Sequence, residues 1–176
     1  MALWVFGYGS LLWNPGFEPA ETRRAVLKGY SRSFCMLSIH HRGSEEDPGL
    51  VLALDTAADQ QCTGVAFRVA DAEHDSVLAA LRERELISSA YFEKTVTLQT
   101  DAGDIEALAY VINRNHVQYC QYPLEQQAQM IARCVGGRGP NDAYLYNTAD
   151  KLIEMGIKDP DMEWLVARVR EIGHTQ

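Results

Sequence analysis

Nowhere does this chain carry an apolar run near the ~18 residues that a membrane-crossing helix requires, and nothing ahead of its first strand reads as a signal peptide. A soluble protein with no membrane partner is expected. Basic residues are in deficit, 16 lysines and arginines against 24 aspartates and glutamates, and they form no stripe. Without that electrostatic footprint, nucleic acid is not expected as a partner. Cysteine is sparse, and Cys35, Cys62, Cys120 and Cys134 make neither a CxxC pair nor a ligand-spaced set with histidine. They read as reduced thiols in a cytoplasmic protein, with no disulfide framework and no metal site. Repeats, low-complexity segments and shifts of composition are also missing. One domain over residues 1–176 follows, large enough to bury a sizeable core. Nothing in the sequence fixes an oligomeric state.

What is present starts with Leu3-Trp4-Val5-Phe6, an apolar run that breaks into Gly7-Tyr8-Gly9-Ser10-Leu11-Leu12-Trp13. The β-branched and aromatic run reads as a buried strand, and the two glycines after it let the backbone turn and approach a bound molecule closely. Main-chain N–H groups and the Ser10 hydroxyl would then face an anionic or carbonyl oxygen. Three familiar motifs fail here. A dinucleotide fingerprint needs a glycine where Leu12 stands, and a phosphate loop needs a lysine, the first of which is Lys28. A nucleophile elbow needs x-Gly after its serine, and Ser10 is followed by two leucines. An ordinary glycine-rich connection remains the plain alternative.

Further strands are expected at Ala25–Ile39, Leu50–Asp55, Thr63–Val69, Tyr91–Thr100 and Ile105–Ile112, the last two a hairpin around Asp101-Ala102-Gly103-Asp104. Asp71–Leu86 reads as an inserted helix capped by Asp71. Three more helices follow: Pro123 to Val135, Asn141–Met155 with Gly156 after its end, and Asp161–Ile172. The fold class is therefore α+β, on an antiparallel or mixed sheet, with an inserted helix and C-terminal helices.

The inserted helix ends in Arg82-Glu83-Arg84-Glu85. At about 100° per residue, Glu85 falls roughly 20° from Leu78 and 40° from Leu81, on the apolar face, while Glu83 points to water. Desolvation and the negative helix end both disfavour a charge at Glu85, so a raised pKa, suited to a general base working on an amine, is expected. An ion pair with Arg82 or Arg84 in a solvated final turn is the competing reading.

The Val5–Trp13 stretch resembles the opening of the ChaC-type γ-glutamylcyclotransferases. The likeness continues through His41-Arg42-Gly43, Pro48-Gly49, Cys62-Thr63-Gly64-Val65-Ala66-Phe67-Arg68, Arg84-Glu85 with Tyr91, and Asn141-Asp142-Ala143-Tyr144-Leu145. The resemblance implies a small barrel-like fold and cleavage of glutathione, as a lyase, to 5-oxoproline and Cys-Gly without a cofactor. It places the catalytic glutamate on Glu85 and the substrate-binding strand and loop on Val5, Phe6, Gly7, Tyr8, Gly9 and Ser10, extending to Leu11. Many members have Lys-Gly-Gly-Tyr after the glutamate. Here Leu86-Ile87-Ser88-Ser89-Ala90 precedes Tyr91, a spacing similar to bacterial-type members. Tyr91 either contacts substrate or merely starts a strand, and Tyr144 either contacts substrate or packs in the core.

The chemistry suits a chain with no nucleophilic triad. The α-amine of a γ-glutamyl peptide attacks its own γ-carbonyl, so the protein supplies only geometry and proton transfers. Tyr8–Leu11 amides, with the Ser10 and Tyr8 hydroxyls, would hold the carboxylate or the developing oxyanion. Two alternatives stay open: the same chemistry on another γ-glutamyl amide or amino acid, and a non-catalytic γ-glutamyl-binding module. His40-His41 reads as loop, since adjacent strand residues face opposite ways and no further ligand is near. Val135–Asn141 reads as a helix–helix turn, and a flap is one reading of the segment holding Tyr119 and Tyr122.

Overall fold

Strand β1, Leu3–Gly7, is buried from Trp4 onward, as its β-branched and aromatic residues require. In the computed structural model, which describes residues 2–86 and 89–175, it leads to a one-turn helix, α1, Ser10–Trp13. Two long strands follow, β2, Glu21–Ser38, and β3, Gly49–Val69. The segments expected separately at Leu50–Asp55 and Thr63–Val69 are the two ends of β3. Between them Thr56 to Gln61 is mostly exposed, and an exposed polar strand carries none of the apolar signal that marks the buried ends.

A 3-10 turn, Asp71–Glu73, precedes helix α2, His74–Leu86. Asp71 is not a cap: that position belongs to Ala70, with no side-chain bond, and the Glu73 N–H donates to the Ala70 carbonyl at 2.8 Å. Strands β4, Tyr91–Thr100, and β5, Gly103–Ile112, pair from Tyr91↔Ile112 to Thr100↔Gly103. Gly103 turns the hairpin at φ +109°. Helix α3, Leu124–Arg133, stops where Cys134 becomes extended. The turn expected over Val135–Asn141 holds a two-stranded ribbon, β6, Val135–Gly136, and β7, Gly139–Pro140. Helices α4, Asn141–Glu154, and α5, Pro160–Thr175, complete the chain. None of the described helices is long and apolar enough to cross a membrane.

The sheet runs β1-β3-β2-β4-β5 and closes into a barrel through β3–β5. β1 pairs antiparallel with β3, Leu3↔Val69 to Gly7↔Val65, and parallel with β5 at Val5↔Leu108. The fold is thus the α+β mixed barrel that was expected. The chain falls into two compact units, Met1–Ser33 with Ala53–Val117 and Phe34–Leu52 with Gln118–Gln176. In the first, Val5, Leu11, Val69, Val77, Leu81 and Tyr110 form a buried cluster, with Leu3, Phe17, Leu86 and Tyr91 against it. That cluster fixes α2 and the turn after β1 to one core. In the second, α5 buries Met162, Leu165, Val169 and Ile172, a helical stripe. The Asp159 carboxylate caps α5 by accepting the Met162 N–H at 3.2 Å.

Candidate active site

The turn after β1 is held from several sides. A Cβ on Gly7 would stand 2.7 Å from Cε2 of Phe67, so only glycine passes that ring. Gly9 lies at φ −137° and ψ −119°, and the chain turns by entering α1 directly. The Leu12 N–H returns to the Gly9 carbonyl at 2.9 Å and the Asn14 N–H to that of Ser10 at 2.8 Å. Among the described residues, the amides of Gly9, Ser10 and Leu11 donate to no backbone carbonyl. Val5, Phe6 and Leu11 are buried and anchor the turn in the core. Tyr8 is anchored as well. Its hydroxyl donates to the Tyr110 carbonyl at 3.2 Å, so the proton expected to serve a ligand is already engaged.

Sequence reasoning missed Arg32. From β2 it donates through Nε to the Tyr8 carbonyl at 2.6 Å and through Nη2 to the Thr63 carbonyl. Both acceptors are distant in sequence, and no local pattern announces such a bond.

On α2, Val77 and Leu81 are buried, and Glu85, one turn beyond Leu81, has a side chain only 13 % exposed. Glu83 is exposed. The helical-face reading therefore holds for the two glutamates. Arg84 places Nε 3.5 Å from Oε1 of Glu85, donates through Nη2 to Ser10 Oγ at 2.8 Å and through Nη1 to the Asn14 carbonyl at 2.7 Å. Arg82 turns elsewhere and binds Glu93 through Nε and Nη2 at 3.1 and 3.0 Å. The ion-pair reading of this turn thus applies to Arg84, and the pair leaves Glu85 connected through one guanidinium to the turn after β1.

A second carboxylate, unnoticed in the sequence, stands behind this arrangement. Tyr110, 1 % exposed, donates its hydroxyl to Oε1 of Glu93 at 2.9 Å. Burial, then that hydrogen bond, and the charges of Glu93 and Glu85 push the Tyr110 phenol well above its ordinary range, so it stays a donor. Glu93 is held below the usual carboxylate value by the Arg82 hydrogen bond first, with burial opposing and Tyr110 adding.

Tyr91 starts β4 opposite Ile112, half-buried against the cluster that contains Leu81 and Tyr110. Of the connection before it, Ile87 and Ser88 lie outside the described residues; Ser89 adopts φ +60°. Tyr144 belongs to the second unit, where it is 5 % exposed. Its hydroxyl accepts the Leu52 N–H at 3.1 Å, and its ring lies edge-on to Phe34 with centroids 6.0 Å apart. Fully buried Asn141 accepts the Leu50 N–H and donates to the Leu50 carbonyl, both at 2.8 Å. The two side chains therefore satisfy β3 main-chain groups as a neighbouring strand would.

His40 and His41 lie beyond β2, and their carbonyls accept the Gly137 and Arg138 amides at 2.7 and 2.9 Å. Tyr119 bridges to Met36, with the Leu37 N–H on the Gln118 carbonyl and the Cys120 N–H on the Cys35 carbonyl.

A closed mixed barrel whose inserted helix brings a shielded glutamate to the turn after the first strand defines the class, the γ-glutamylcyclotransferase-like fold. The structure of a yeast γ-glutamyl cyclotransferase specific to glutathione superposes with a TM-score of 0.88 at 21 % identity, covering 99 % of this chain and 98 % of that one. The ChaC-like protein family matches residues 3–172, and the chain belongs to it. The glutathione-specific γ-glutamylcyclotransferase of Escherichia coli K12 is 33 % identical over 97 % of this chain and 74 % of its own. Human glutathione-specific γ-glutamylcyclotransferase 1 is 38 % identical, over 98 % and 79 %. Arabidopsis thaliana γ-glutamylcyclotransferase 2-3 is 33 % identical, over 98 % and 90 %.

Proposed function

We propose that this protein cleaves glutathione to 5-oxoproline and Cys-Gly, with Glu85 as general base and then general acid. The observation that carries the reading is the Glu85 carboxylate, 13 % exposed and linked through Arg84 to Ser10. The α-amine of the γ-glutamyl group attacks the γ-carbonyl carbon, a C–N bond forms, and Glu85 takes the proton that the amine sheds. Collapse of the tetrahedral intermediate breaks the bond to the cysteine nitrogen, and the proton returns from Glu85 to that departing amine. Atoms balance without water. Amides of Gly9, Ser10 and Leu11 hold the anionic oxygens, and ring closure within one bound molecule gains the advantage of proximity.

A pure γ-glutamyl binder gains nothing from shielding a carboxylate, which costs free energy. The names of the E. coli and human relatives support glutathione over other γ-glutamyl compounds. Four buried cysteines that form no disulfide fit a cytoplasmic setting, which belongs to the same proposal. The test is release of 5-oxoproline and Cys-Gly from glutathione by the purified protein, beside release from γ-Glu-Ala. Turnover of glutathione with γ-Glu-Ala poorly used is expected. Equal use of both would give the distal pocket a broader substrate class, and no product from either would overturn the reading.

A further inference from the structure

We infer that Arg84 is a positioning residue that commits the Ser10 hydroxyl to donating its proton to the α-carboxylate of the bound γ-glutamyl group, an inference that rests on the proposed function. A guanidinium carries five N–H donors and no acceptor. The bond from Arg84 Nη2 to Ser10 Oγ at 2.8 Å therefore runs one way, with Ser10 accepting. A hydroxyl has one proton to give, and among the described residues the Ser10 hydroxyl makes no other hydrogen bond. Its donor direction is left for a ligand. Ser10 follows Gly9, and the amides of Gly9, Ser10 and Leu11 are likewise unspent on backbone carbonyls among the described residues.

The guanidinium is itself held in place. Nη1 donates to the Asn14 carbonyl, which follows the last residue of α1, at 2.7 Å, and Nε stands 3.5 Å from Oε1 of Glu85. Three partners at three positions of one planar fork leave no freedom for the group to swing, a geometry a lysine ammonium cannot reproduce. A partly shielded cation beside Ser10 also selects an acceptor with a permanent negative charge, which the α-carboxylate has before reaction begins. An interaction made equally in ground and transition states changes KM more than kcat.

The experiment is a double-substitution cycle on glutathione cleavage, with Ser10→Ala, Arg84→Met, Arg84→Lys and the two combinations with Ser10→Ala, each checked by thermal melting. Ser10→Ala and Arg84→Met should each raise KM about tenfold with kcat within about threefold, from the loss of one hydrogen bond involving a charged group. In the protein already carrying Ser10→Ala, Arg84→Met should add less than about twofold, because the hydroxyl it orients is gone. Arg84→Lys keeps one donor and should raise KM less than Arg84→Met does. Should Arg84→Met fail to fold, the lysine cycle carries the same comparison, with a KM rise where Ser10 is intact and none where Ser10→Ala is present. Effects that multiply, or a loss confined to kcat with no recovery in Arg84→Lys, overturn the inference. Wild-type protein that releases no 5-oxoproline refutes the proposed function instead, so the two failures are distinct.

Discussion

Replacing Tyr110 with phenylalanine deletes one hydroxyl from a fully buried side chain and keeps its ring. The lost bond is the 2.9 Å donation to Oε1 of Glu93, while Arg82 continues to donate to both Glu93 oxygens. A hydrogen bond to a charged group contributes about 1.5–3 kcal/mol. Glu93 is 20 % exposed, and water replaces part of what the tyrosine gave, so a loss of about 1–2 kcal/mol is expected at neutral pH. For a chain of this size that corresponds to roughly 2–8 °C in Tm. The dependence on pH separates this cause from simple packing. Glu93 is depressed in the fold, by Arg82 first and in part by Tyr110. A depressed carboxylate contributes stability that is present above its unfolded pKa of about 4.3 and is lost as pH falls through the folded value. The gap between wild type and Tyr110→Phe should therefore be full at pH 7 and narrow from about pH 5 downward. Urea denaturation of both proteins across that range reads it directly. A gap that stays constant in acid would refute the electrostatic reasoning, as would two proteins equally stable at neutral pH. The bond from Tyr8 is to the main-chain carbonyl of residue 110 and survives the change.

Gly7→Ala places a methyl 2.7 Å from the Phe67 ring, and overpacking of about 1–3 kcal/mol with loss of turnover is expected, read by melting and by 5-oxoproline release. Gly103→Ala, at φ +109° with open space around it, should lose about 1 kcal/mol of stability through its backbone alone and keep activity. Leu81→Ala empties a site 2 % exposed in the cluster that seats α2. A loss of about 2–5 kcal/mol in urea denaturation is expected, and the remaining activity should fall with it, because the same helix positions Glu85. Burial pushes the Cys120 and Cys134 thiols up to about 11, so iodoacetamide at pH 8 should label them slowly in the native protein and quickly in urea. Rapid native labelling would contradict their placement.

The parts of the site legible in the sequence are those set by local periodicity. Glu85 lies on the buried side of α2 because it follows Leu81 by four residues, and the Gly7 turn follows β1 because an apolar run ends there. Hydrogen bonds between distant segments leave no such trace. Arg32 reaches carbonyls 24 and 31 residues away, and Glu93 meets Tyr110 only once β4 and β5 are in register. The long β3 reads as two strands in the sequence because its middle is polar, and Asp71 reads as a cap because its residue type favours that position. The resemblance supplies Tyr91 and Tyr144, for which periodicity offers nothing to separate contact from packing. The hydrogen bond from the Leu52 amide to the Tyr144 hydroxyl spans 92 residues and is equally invisible to local pattern.

The central claim is that Glu85, and not its neighbour Glu83, moves the proton in glutathione cleavage. Its most direct test compares Glu85→Gln with Glu83→Gln in release of 5-oxoproline from glutathione, with glutathione binding followed by calorimetry. Glutamine keeps the shape of glutamate and cannot take up the proton, so Glu85→Gln should bind glutathione and turn over roughly 10²–10⁴ times more slowly. Glu83→Gln, altering an exposed side chain, should remain close to wild type. An inactive Glu83→Gln beside an active Glu85→Gln would contradict the account.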